Sequence, residues 1–206
     1  MFSPSCMVGG WRRATNYLRS RRRLVYSIAF PSASDQNSSP PRTMLAFLCG
    51  AMEHASDGGS GWREALRLWI QDSLNHRVYD PVVEAQRLFS AAVLRDLQAW
   101  KTADTERFRR TMRVAINRDL DVMGQQADYV VCLWDEAAAR GGGTQAELTT
   151  AYRKGIPMYM VTNLPPGEIS GWVLACADRL FGTLEELKSF LTSTYGGEAR
   201  QHALWN

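Results

Sequence analysis

The sequence predicts a doubly wound α/β domain: a parallel sheet of about five strands flanked by helices. Short apolar runs alternate along the chain with stretches of helical period. The runs are continuous rather than alternating, as strands buried on both faces require. The interval between successive runs is long enough for a helical crossover.

Leu45–Cys49, closed by Gly50, reads as the first buried strand. A polar, Gly-rich stretch from Glu53 to Gly61 follows, and then Trp62, Ala65, Leu66, Trp69, Ile70 and Leu74 mark one face of a helix. Val78-Tyr79 is a brief second strand stopped by Asp80-Pro81. Residues 82–100 present an apolar face through Val83, Leu88, Ala92, Leu94 and Leu97, and a further helix spans about Asp104 to Gln126. Tyr129–Trp134 is the clearest strand, followed by Asp135-Glu136, the Gly141–Gly143 run and a helix from Thr144 to about Lys154. Pro157–Val161 and Arg179–Phe181 read as the last two strands, with Trp172–Ala177 helical between them. Thr183 with Glu186 forms a capping box that opens a closing helix to Thr194.

At 206 residues, 45% apolar and 22% charged, the chain can bury a core without disulfides or metal. No apolar run approaches the roughly 18 residues of a membrane span, so no membrane partner is expected. The net charge of +3 is uneven. Residues 1–43 hold seven Arg and one Asp, a net +6, which leaves −3 for residues 44–206. The reading is therefore a basic, Ser/Pro-rich extension over 1–43, flexible or non-native, ahead of a domain over 44–206 that begins at Met44. A targeting signal competes with that reading, but Tyr26 and Ser27 dilute its apolar core. With the excess positive charge confined to that segment, nucleic acid is not the expected partner. Cys6, Cys49, Cys132 and Cys176 form no CxxC, and His54, His76 and His202 show no ligand spacing. The expectation is a reduced, cytoplasmic protein with no metal and no cofactor, in which Cys49 and Cys132 are small buried hydrophobes.

In such folds ligands sit at the carboxyl ends of the strands. That edge collects Gly50, Met52 and Glu53 after the first strand, and Asp80 after the second. Asp135, Glu136, Gly143, Thr144 and Glu147 follow the third strand, and Asn163 follows the fourth. Such an acidic edge suits the hydroxyls of a sugar and can supply a carboxylate nucleophile or acid. It suits a bare pyrophosphate poorly. The triple glycine lacks the Lys-Ser/Thr of a Walker loop and does not fit GxGxxG. Thr144-Gln145-Ala146-Glu147 also fits a capping box, so Glu147 has a second reading as a helix cap whose carboxylate stays ionised near the helix N-terminus. Asp119 and Asp121 lie among Arg109, Arg110, Arg113 and Arg118, where salt-bridged surface carboxylates are the default.

Taken in order, several blocks resemble the nucleoside 2-deoxyribosyltransferase family over most of residues 45–192. They are Phe47-Leu48-Cys49-Gly50-Ala51-Met52-Glu53, Gly61-Trp62-Arg63, Val78–Pro81, Asn117-Arg118-Asp119-Leu120, Ala127–Val131, Gly143–Leu148 and Gly155–Tyr159. The stretch Trp172 to Leu187 resembles the family's C-terminal end. The resemblance implies a flavodoxin/Rossmann-like sheet and transfer of a 2-deoxyribosyl group between nucleobases, as in nucleoside salvage. Glu147 stands at the position of the family's nucleophile, and Asp119 at that of the aspartate which orients it or protonates the leaving base. Asp121 is a rival to Asp119. The family's polar residue six positions before the nucleophile falls on Gly141, with Asp135 a substitute. The implied partners are a nucleoside and a nucleobase. The implied assembly is a homo-oligomer with shared sites, to which Asn163 or the segment after it contributes.

Two other functions stay open on sequence. One is hydrolysis of the N-glycosidic bond in a nucleoside or its 5′-monophosphate, for which Ser56, Ser60 and Arg63 are the phosphate donors to consider. The other is a non-catalytic nucleotide-binding domain. Base preference and the choice of deoxyribose or ribose are not fixed.

Overall fold

A computed structural model describes residues 43–203, with side chains described as far as residue 196. The basic extension, Cys6 and the side chain of His202 lie outside the described residues. The elements are β1 (Leu45–Gly50), α1 (Ser60–Leu74), β2 (Arg77–Tyr79), α2 (Pro81–Leu88), α3 (Ala91–Ala103), α4 (Thr105–Gln126), β3 (Tyr129–Leu133), α5 (Glu136–Arg140), α6 (Gly142–Lys154), β4 (Met158–Val161), α7 (Gly171–Cys176), β5 (Arg179–Phe181) and α8 (Leu184–Ala203).

The five strands form one parallel sheet in the order β2-β1-β3-β4-β5. The order reverses between β1 and β3, where in-register pairs run from Ala46–Tyr129 to Gly50–Leu133. A crevice at the carboxyl ends of strands flanking such a reversal is where open α/β sheets bind ligands. Every residue of β1 and β4 is buried, which explains why these runs carry no polar alternation.

Helices cover both faces. On one face, Leu66, Ile70 and Leu74 of α1 and Leu187 and Leu191 of α8 pack on Ala46, Leu48, Val131 and Val161. On the other, Val122 and Met123 of α4, Leu148 and Ala151 of α6 and Val173 of α7 pack on Phe47, Cys49, Val130 and Cys132. Leu148 is fully buried there. Truncation to Ala at such a position removes about 2–5 kcal/mol.

The local signals for the helices have clear physical causes. Asp80 caps α2 by accepting from the Val82 amide, with Pro81 in the first turn where a missing N–H costs nothing. Ser90 and Asp104 cap α3 and α4 in the same way. α1 ends at Asn75 in the left-handed region and α6 at Gly155, also left-handed. Residues 82–100 are two helices rather than one stretch, because Phe89 and Ser90 are extended. Their apolar face is only partly covered, since Leu88 is 37% exposed. The Thr183 hydroxyl accepts from the Glu186 amide, and the Glu186 carboxylate takes the Gly182 amide, one residue earlier than in a standard box. α8 continues to Ala203, beyond the Thr194 boundary read from sequence. Among the described residues no helix is long and apolar enough to cross a membrane.

Candidate active site

The tip of β1 is built around Arg63. This side chain, from the first turn of α1, is fully buried. Its guanidinium donates to the carbonyls of Gly50 (2.8 Å), Ala51 (3.0 Å) and Gly59 (2.6 Å), and its Nε lies 3.8 Å from Asp80 Oδ1. A Cβ on Gly59 would lie 2.1 Å from the Ala51 carbonyl oxygen and 2.2 Å from Arg63 Nη1, and Gly59 has a φ of 77°. Glycine is required there both for space and for the backbone. Arg63 thus locks the loop after β1 to α1 and neutralises Asp80.

Across β1, on the face covered by α4 and α6, lies a different arrangement. Glu147 projects from the second turn of α6, and its Oε2 accepts from the buried Cys49 thiol at 2.9 Å. Asp119, on α4, accepts at Oδ1 from the Tyr79 hydroxyl at 2.6 Å. Burial pushes the Glu147 carboxyl up to about 7; the Cys49 hydrogen bond opposes this, the Asp119 charge adds to it and Arg63 opposes it. Asp119 is also raised, first by burial, against the lowering effect of the Tyr79 hydrogen bond. The Tyr79 phenol and the Cys49 thiol are both pushed upward by burial, so each stays protonated and can donate.

The capping reading of Glu147 does not hold. Gly141 is the N-cap of α6 and makes no side-chain cap, so Thr144 already lies inside the helix and Glu147 one turn beyond it. Its carboxylate meets a thiol instead of backbone amides, and burial raises its pKa where helix-end placement would lower it.

Beside these groups, a cleft of about 460 Å³ opens at the ends of β1, β3 and β4. Its walls include His54, Trp62, Asp135, Arg140 and Asn163. Asp135 caps α5 through the Ala138 amide and faces this cleft. A Cβ at Gly141, the N-cap of α6, would lie 3.8 Å from the ring of His54 on the cleft wall. Glu147 and Asp119 are not among the cleft's wall residues.

The residues expected at this edge therefore separate into groups. Glu147 and Asp119 come together, and Asp119 rather than the exposed Asp121 is the aspartate held beside β2. Asp119 is not salt-bridged to the arginines of its helix; Arg118 turns to Glu84 instead. Asp135 and Asn163 line the cleft. Asp80 is held in the core by Arg63 and its capping bond. Thr144 is buried, with its carbonyl 3.9 Å from Cys49 Sγ, while Gly143 and Met52 are exposed. Gly50 is packed against Leu133, Trp62 and Arg63. Glu53 pairs with Lys101 of α3, so the acidic edge has basic partners brought from distant sequence.

Sequence reading underrated three residues. From sequence, Cys49 reads as a small buried hydrophobe, Tyr79 as a strand residue and Arg63 as a phosphate donor to consider. Among the described residues no three His, Cys, Asp or Glu side chains are grouped to hold a metal ion.

The fold is similar to a solved structure of a 2-deoxyribosyltransferase from the psychrotolerant bacterium Bacillus psychrosaccharolyticus. The TM-score is 0.50 and the identity 16%, over 70% of this chain and 90% of that one. That likeness is one of fold. No protein-family model matches the chain, and no curated protein matches it in sequence.

Proposed function

We propose that the protein transfers a 2-deoxyribosyl group between nucleobases, with Glu147 as nucleophile. The observation that carries this reading is the Glu147–Asp119 pair: two partly buried carboxylates from separate helices, at the sheet reversal, with no cation bonded to either among the described residues. In the first step a Glu147 oxygen bonds to the anomeric carbon while the carbon–nitrogen bond breaks, its electrons leaving with the base. In this reading Asp119 orients the carboxylate and hands a proton to that base. In the second step an acceptor base attacks the same carbon, the acyl–sugar bond breaks, and Glu147 is regenerated with net retention. The neighbouring cleft, with Trp62, Asp135 and Asn163 on its walls, offers an aromatic face and polar groups for the nucleoside. A homo-oligomeric, cytoplasmic protein whose active part is the domain over 44–206 completes the proposal.

Hydrolysis of a 5′-monophosphate is the weaker reading. The amides of Gly59 and Gly61 both donate to Asp57, and the Arg63 guanidinium is bound to carbonyls, so these phosphate donors are already engaged. Ser56 and Arg140 on the cleft wall are the groups that favour it. Incubating the chain with a panel of deoxynucleosides, with and without a second free base, separates the readings. A new nucleoside that forms only with the added base, and not with Glu147→Ala, is the expected result. Free base without exchange assigns a hydrolase. No product from nucleosides or monophosphates overturns the catalytic reading.

A further inference from the structure

Cys49 is a buried nucleophilic group with no step of its own in the proposed reaction. Its side chain is fully buried at the end of β1, next to Cys132, its in-register partner on β3. Among the described residues its thiol makes the one hydrogen bond to the Glu147 carboxylate, 2.9 Å from Sγ to Oε2 across 98 positions of sequence. That is short for a thiol donor, which is soft, weak and long-bonded. The carboxylate otherwise has three torsions to settle, on a helix turn that supplies it with no backbone donor.

We infer that Cys49 is a positioning residue: its thiol pins Oε2 of Glu147 and leaves the second carboxylate oxygen, Oε1, to meet the anomeric carbon. This rests on the reading of Glu147 as the nucleophile. The thiol suits the role because it donates to the ionised carboxylate and yet fits an apolar strand end. A neutral donor also avoids the ion pair that would stabilise the carboxylate at the expense of its nucleophilicity. The groups facing Glu147 are Cys49 of β1 with Cys132 of β3 behind it, Asp119 of α4 and Arg63 of α1. Tyr79, Glu84 and Arg118 act on Asp119. Of these, Cys49 is the group that touches the carboxylate.

The test compares Cys49→Ala with Cys49→Ser in the full chain. In exchange assays across pH, Cys49→Ala is expected to lower kcat about 10-fold with KM little changed, the worth of one hydrogen bond to a charged group. The same variant should move the acid limb of the pH profile upward, because a bond that favoured the ionised form is lost. Cys49→Ser should restore both. Equal rates and profiles in the three proteins overturn the inference. So does an equal loss in both variants with an unmoved profile, which marks a packing role. If the unaltered chain shows no exchange, the functional reading fails on its own, and two measurements still decide the positioning claim. Carbon-detected titration, assigned with Glu147→Gln, should show a higher Glu147 midpoint in Cys49→Ala than in Cys49→Ser. The S–H stretching band of the unaltered chain should lie at low frequency and rise in Glu147→Gln. An unmoved midpoint or band contradicts the inference. The band needs no change at Cys49, so it decides the matter even where Cys49→Ala fails to fold.

Discussion

Two acidic assemblies flank the tip of β1, and they are treated oppositely. Asp80 is almost fully buried, faces a buried Arg63 at 3.8 Å and caps a helix with its remaining capacity. Glu147 and Asp119 are also partly withdrawn from water, yet among the described residues each is hydrogen-bonded to a neutral donor, Cys49 for one and Tyr79 for the other, with Arg63 and Arg118 acting without a direct bond. The first arrangement is what stability asks of a buried charge: a counter-ion and satisfied hydrogen bonds. The second leaves like charges near one another with raised proton affinity. Folding gains nothing from that, and chemistry can use it. Residue type and position on the sheet edge do not separate the two assemblies; the compensating cation does.

The sharpest way to break this contrast is to remove one carboxylate from the second assembly. Glu147→Ala should reduce base exchange by on the order of 10³-fold or more, as loss of a covalent nucleophile does, with unfolding midpoints at pH 5 little changed. The reverse pattern belongs to the first assembly. Arg63→Met leaves Asp80 buried without its cation and three carbonyls without their donor. A loss of about 3–5 kcal/mol in denaturant unfolding is expected. If Arg63→Met unfolds like the unaltered chain, the loop after β1 is not held as described.

The fold was largely legible in the sequence, and the reasons are local. Continuous apolar runs such as Leu45–Cys49 and Tyr129–Trp134 have no other good use than buried strands, and Thr183 with Glu186 states a helix start in its own chemistry. The short helix Glu136–Arg140 was not legible, because five residues with three alanines carry no period. The site was legible only as a list of edge residues. Which carboxylates are compensated depends on contacts such as Cys49–Glu147 and Tyr79–Asp119, which span 98 and 40 positions. No motif records them. Asp80 shows the limit best: the same Asp-Pro that closes a strand also caps a helix and receives an arginine, and only the first of these was read from the chain.

Smaller effects sharpen the comparison through pH. The folded Glu147 carboxyl titrates near 7, above its ordinary value of 4.5. Between those values the unfolded chain loses this proton first, so stability should fall as pH rises through the interval. Glu147→Gln removes that term and should stabilise the protein by on the order of 1–3 kcal/mol at pH 8 relative to pH 5, measured by urea unfolding at both. Tyr79→Phe is the mildest change. It removes the donor to Asp119 without altering packing on Phe47, and about a 10-fold loss of kcat is expected, with stability within about 1.5 kcal/mol.

The most direct test of the central claim is the mass of the chain caught in the act. The protein would be incubated with a nucleoside whose sugar carries a 2-fluoro substituent, which destabilises the oxocarbenium-like transition states and so slows breakdown of the glycosyl-enzyme, then quenched and digested. One sugar residue attached to the peptide that holds Glu147, lost on adding a free base and absent in Glu147→Gln, is the predicted result. Base exchange that proceeds with no adduct, and survives Glu147→Gln, would contradict the account.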